Sequence, residues 1–85
     1  MTDKACIRVR INGYPYTLRG EGTDEDLQKI ADLVSKKVED IKAQAPHTSA
    51  NHLAMMTALQ LAEDFLKLQK EYLQLKQETE LLLQE

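Results

Sequence analysis

A chain of 85 residues with a single cysteine and a net charge of -3 leaves little room for chemistry or for a large core. Cys6 alone can form no internal disulfide, and an acidic balance disfavours a general nucleic-acid binder, whose phosphate-tracking surface needs clustered Lys and Arg. With neither a signal peptide nor a long apolar run, the sequence reads as a reduced, cytoplasmic protein that crosses no membrane. The charge is uneven, because residues 1–20 hold Lys4, Arg8, Arg10 and Arg19 against one acid, Asp3, whereas the later segments carry more acids than bases.

From Ala5 to Arg19 the apolar period is two. Ala5, Ile7, Val9 and Ile11 lie on one face of a strand, and Cys6, Arg8 and Arg10 on the other. Asn12-Gly13 is the dipeptide a type I′ turn prefers, since both central residues take positive φ. The resulting hairpin puts Ile11 opposite Tyr14, Val9 opposite Tyr16 and Ile7 opposite Leu18, with the large apolar residues on one face. Pro15 then faces Arg10 at a non-hydrogen-bonded pair, where its missing N–H costs the ladder nothing. Arg8, Arg10, Thr17 and Arg19 remain on the outer face.

Gly20 and Gly22 are expected to break the strand, and Thr23 before Asp24, Glu25 and Asp26 is a helix start with acids on the positive end of the macrodipole. Leu27, Ile30, Ala31, Val34, Val38 and Ile41 follow as one helical stripe that stops before Pro46. After the connector Pro46-His47-Thr48-Ser49 a second helix can run to the C-terminus, roughly 50 Å at the usual rise per residue.

That second helix carries a heptad seam of Ala58, Leu61, Phe65, Leu68, Tyr72, Leu75, Thr79 and Leu82. With Ala58, Phe65, Tyr72 and Thr79 at a, the g positions are Asp64, Glu71, Glu78 and Glu85, all acidic. An antiparallel pair would set acid against acid, whereas a parallel pair faces Glu71 to Lys76 of the other chain, so the pattern favours a parallel homodimer. Leu53, Met55, Met56, Leu59, Ala62 and Leu66 lie outside the seam and need a second surface, with the hairpin face and the first helix as candidates. Alternatively Met55, Leu59, Ala62, Leu66 and Leu73 form a stripe beside the seam that pairs dimers into tetramers.

The fold class is therefore α+β: an N-terminal β-hairpin and a short helix make a small head, followed by a long C-terminal coiled-coil helix. The domain organisation is 1–50 as head and 51–85 as long helix, whose first half packs with the head and whose second half is a stalk. A head of about 50 residues seldom folds alone, so oligomerisation is the expected source of the missing stability.

The residues point to no catalysis, no cofactor and no metal. His47 and His52 are poorly spaced to share an ion, Ser35 and Ser49 sit in no nucleophile motif, and Glu63-Asp64 point apart on a solvated helix. Met55-Met56 reads as core filler and Cys6 as an edge-strand thiol. One functional surface competes with its bland reading as a solubilised edge. Arg8, Arg10 and Arg19 on the hairpin, extended by Lys36, Lys37 and Lys42 on the exposed side of the first helix, make a basic patch that a dimer presents twice, as suits a cross-linker of a repetitive acidic filament.

The stretch Ile7 to Leu18 (I-R-V-R-I-N-G-Y-P-Y-T-L), then a capped helix with Ile30-Ala31, then Leu53-Ala54-Met55-Met56-Thr57-Ala58-Leu59-Gln60-Leu61-Ala62 running into a coiled coil, resembles the ZapA family of bacterial cell-division proteins nearly end to end. Gln60 stands where that family commonly has Asn. The resemblance implies dimers and dimers of dimers formed through the long helix, and heads that bind the tubulin-like GTPase FtsZ and bundle its protofilaments at the mid-cell division site. It would place partner binding on Arg8, Arg10, Arg19, Lys36, Lys37 and Lys42. Two other classes are consistent with the residues: a small coiled-coil adaptor for another cytoplasmic protein and, less well supported by the charge, a regulatory nucleic-acid binder.

Overall fold

The computed structural model describes residues 4–84, so Asp3 and the g-position Glu85 lie outside the described residues. Strand β1 (Lys4–Ile11) and strand β2 (Tyr14–Glu21) form an antiparallel hairpin, followed by helix α1 (Asp24–Gln44) and helix α2 (Ala50–Leu83). The register is the one that the alternation demands, with Ile11 opposite Tyr14, Arg10 opposite Pro15, Val9 opposite Tyr16 and Ile7 opposite Leu18. Asn12 (φ 54) and Gly13 (φ 82) both take positive φ, the requirement of a type I′ turn. Gly20 does not end the strand; β2 continues to Glu21, and the chain turns at Gly22, with φ 106.

Gly22 has a further reason to lack a side chain. A Cβ there would lie 2.7 Å from Asp26 Oδ2, the atom that accepts the Thr23 N–H at 2.9 Å, while Thr23 Oγ1 accepts the Asp26 N–H at 3.2 Å. This reciprocal pair satisfies two otherwise orphaned donors and starts α1 at Asp24. Ser49 Oγ caps α2 by accepting the His52 N–H at 3.2 Å. At 34 residues α2 spans about 51 Å by the usual rise per residue, close to the 54 Å longest extent of the molecule.

The core is small and centred on α1. Leu27 (2% exposed) and Ile41 (1%) are its two most enclosed large side chains. Val38, Ile41 and Leu53 form one cluster, with Ile11, Val34 and Met56 packed against it. Thr57 is also buried, and its hydroxyl donates to the Leu53 carbonyl at 2.8 Å, so that among the described residues no buried side-chain nitrogen or oxygen lacks a partner.

The hairpin lies on α1, mostly through β1, and α2 packs on α1 rather than on the hairpin. The expectation that the hairpin face would help cover the first half of α2 holds only at Ile11, which packs against the cluster containing Leu53. Only Leu53, Met56, Thr57, Gln60 and Leu61 gain burial there, while Met55, Leu59 and Leu66 stay exposed. The reason is geometric: α1 takes up the β1 part of the ribbon's single apolar face, and the β2 part, with Tyr14 and Tyr16, faces the first turn of α2 only across an open cleft. The α1 stripe is also narrower than expected, because Ile30 is exposed and Val34 only half-buried. Tyr14 and Tyr16, placed by register on the inner face, are likewise more than half exposed.

Candidate functional site

Two surfaces of the chain offer themselves to partners. The first is the stalk. Phe65, Leu68, Tyr72, Leu75 and Leu82 are exposed along α2, as are the adjacent Leu59, Leu66 and Leu73. Ala58 is exposed too, whereas Leu61 is half-buried where α2 still touches α1. A helix with this much exposed leucine over about seven turns is more apolar than a solvated helix tolerates, and the pattern is that of a face awaiting other helices. The g row is altered by the tertiary structure. Asp64 Oδ2 lies 2.7 Å from Lys37 Nζ of α1, so its charge is matched within the chain, and Glu71 and Glu78 remain as the unpaired acids of that row among the described residues.

The same ion pair revises the basic patch. Lys37, expected on the exposed side of α1, is turned toward α2, with its side chain 22% exposed against 52% for Asp64. The hydrogen bond to Asp64 holds the Lys37 ammonium above its ordinary value, partial burial opposes that shift, and the charges of Asp64, Asp40 and Glu63 add to it. Lys37 therefore ties the root of the stalk to the head and projects no free charge.

The other cations stay outward. Arg8, Arg10, Arg19, Lys36 and Lys42 are exposed, and none of them forms an ion pair among the described residues. Arg10 and Lys42 are brought together across an open cleft of about 420 Å³ between the hairpin turn and α1, lined also by Asn12, Gly13, Ser35 and Glu39. Lys42 Nζ donates to Asn12 Oδ1 at 3.1 Å, which steadies the ammonium at the cleft. Arg8 lies in a separate shallow depression beside Pro15, Tyr16 and Thr17, and Arg19 sits opposite Cys6 at the far end of the hairpin. Sequence reading missed Asn12 as a partner of Lys42, because its turn signal accounts fully for its presence. It also missed Thr57, whose burial follows from α1 packing alone.

A sequence model of the cell division protein ZapA matches residues 7–85. The chain belongs to the ZapA family of cell division proteins. Among relatives, the cell division protein ZapA of Shouchella clausii is 33% identical over 70 residues, 82% of this chain and 90% of that protein. That of Bacillus pumilus is 34% identical over 69 residues, 81% of each. A solved structure of a ZapA mutant dimer from Geobacillus stearothermophilus superposes with a TM-score of 0.73 at 30% identity, covering 94% of this chain and 93% of that one. The ZapA family is one of cell division proteins and not a known enzyme family. Among the described residues of this ZapA-family chain, no helix is long and apolar enough to cross a membrane.

Proposed function

We propose that this chain cross-links protofilaments of the tubulin-like GTPase FtsZ at the mid-cell division site, acting without catalysis through paired heads on a coiled-coil stalk. The observation that carries this reading is the apolar face of α2, exposed from Phe65 to Leu82 while the head retains its cations. Such a face is removed from water by a second copy, and a second copy doubles whatever the head binds. The relative solved as a dimer supports self-association through this fold. In the parallel arrangement Glu71 meets Lys76 of the second copy across the seam. The stripe of Leu59, Leu66 and Leu73 would join two dimers, giving a rigid spacer with a head pair at each end.

The partner-facing residues in this reading are Arg8, Arg10, Arg19, Lys36 and Lys42, with Lys37 positioning the stalk. Replacing Arg8→Glu together with Arg10→Glu abolishes bundling of GTP-polymerised FtsZ, read by light scattering and electron microscopy, while the sedimentation mass of the oligomer is unchanged. Unaltered bundling by that double variant would overturn the assignment.

A further inference from the structure

The hairpin has two free edges, and they are not equivalent. In a hairpin closed by a two-residue turn, the pair flanking the turn exchanges both hydrogen bonds and the pairs then alternate. Ile11–Tyr14, Val9–Tyr16 and Ile7–Leu18 are thus bonded pairs, and the backbone groups of the intervening residues point away from the partner strand. On β2 this outward row begins at Pro15, which has no N–H to offer, so that edge is blunted. On β1 the row is Lys4, Cys6, Arg8 and Arg10. All four keep their N–H, all four are exposed, and no third strand lies alongside. Among the described residues no hydrogen bond outside the hairpin reaches these groups.

The chemistry around that edge selects what can pair with it. Arg8 and Arg10 alternate along β1, and at its end the cleft between the turn and α1 adds Lys42, held by Asn12. Glu39 on the cleft wall is the one acid there, against two cations that form no ion pair among the described residues. A second copy of β1 is a poor occupant, since two-fold antiparallel pairing of the row Lys4, Cys6, Arg8 and Arg10 with itself sets cation against cation in every register that overlaps three or more of them, and like charges directly opposite are destabilising. The β2 edge of a second copy is no better, because Pro15 interrupts it.

We infer that the free edge of β1 captures an extended acidic segment of a partner protein by strand addition, with its carboxylates on Arg8 and Arg10 and at the Arg10–Lys42 cleft. Backbone bonds from Cys6, Arg8 and Arg10 supply affinity, and the cations supply selection for acid at alternate positions. This builds on the reading of the hairpin cations as partner-facing, but it does not depend on the partner being a particular filament.

The test uses the full chain and an acetylated, amidated peptide that alternates Glu with Val and Thr, alongside a control peptide with Lys in place of Glu. With the acidic peptide at ten times its dissociation constant, amide hydrogen exchange at Cys6, Arg8 and Arg10 should slow about tenfold, with no such slowing by the Lys peptide. Cys6→Pro, which removes one outward donor at a position not bonded to β2, should weaken acidic-peptide capture while Cys6→Ala does not. No slowing at these amides, equal slowing by both peptides, or amides already protected in the free oligomer each overturns the proposal, the last by showing that a second copy holds the edge. Bundling of FtsZ without peptide capture removes this inference and leaves the filament reading standing, and capture without bundling does the reverse.

Discussion

α1 and the distal half of α2 are both helices with an apolar face, yet within one chain their fates differ. On α1, Leu27, Ala31, Val38 and Ile41 are buried beneath the hairpin and the start of α2. On α2 every described residue beyond Leu61 is exposed, Phe65, Leu68, Tyr72 and Leu75 included. A chain this short can enclose one helix face, and it spends its ribbon and the stretch of α2 from Leu53 to Leu61 on α1. The contrast separates residues that hold the head together from residues that hold copies together in the proposed assembly, and each class predicts a different response to substitution.

The largest effect is expected at the seam. Leu68→Glu with Leu75→Glu replaces two apolar side chains per helix, each worth roughly 1.5–3 kcal/mol when fully buried, by charges already abundant on that face. Sedimentation equilibrium should show the mass falling to that of a single chain; an unaltered mass would mean that the seam is misassigned. Next comes the core of the head. Leu53→Ala removes the residue through which α2 enters the Val38–Ile41 cluster and should cost about 2–5 kcal/mol, read as a lower urea midpoint. If the same loss appeared on substituting the exposed Leu59→Ala in a dilute sample, the division between the two regions would fail.

A smaller loss is expected at the first cap. Thr23→Ala leaves the Asp26 N–H without its side-chain acceptor and should lower stability by about 1 kcal/mol, measured by the same denaturation. The smallest and most conditional effect belongs to Lys37, the link between the regions. Its folded-state pKa lies above the ordinary 10.5, so the ion pair contributes fully below that value and is lost as pH rises through the higher folded one. Lys37→Met should therefore lower the urea midpoint slightly near neutral pH, less at high salt, and the difference from the parent should vanish above the folded pKa. A difference that persisted in strong alkali would show that packing of the lysine stem, rather than charge, joins stalk to head.

Much of the hairpin was legible because its signals are local. Asn12-Gly13 demands positive φ twice, the alternation from Ala5 to Ile11 admits one register, and Pro15 tolerates only a pair that needs no N–H. The cap at Thr23 was legible for the same reason, since it rests on groups three residues apart, whereas Ser49, read only as part of the connector, proved to cap α2 in the same way. The candidate surfaces were read less evenly. Arg8, Arg10 and Arg19 face outward as strand alternation requires, but the side of α1 from which Lys37 or Lys42 projects depends on what lies beside that helix.

By itself, then, the sequence determined the order of the elements, the pairing of the strands and the heptad stripe, all of which follow from steric and hydrogen-bonding rules acting over a few residues. Only the tertiary structure decided that the hairpin covers α1 and leaves most of α2 uncovered, that Lys37 reaches Asp64, and that Arg10 and Lys42 share one cleft. Those outcomes depend on which apolar faces meet first across distant stretches of chain, and no pattern of spacing within a single element encodes that choice.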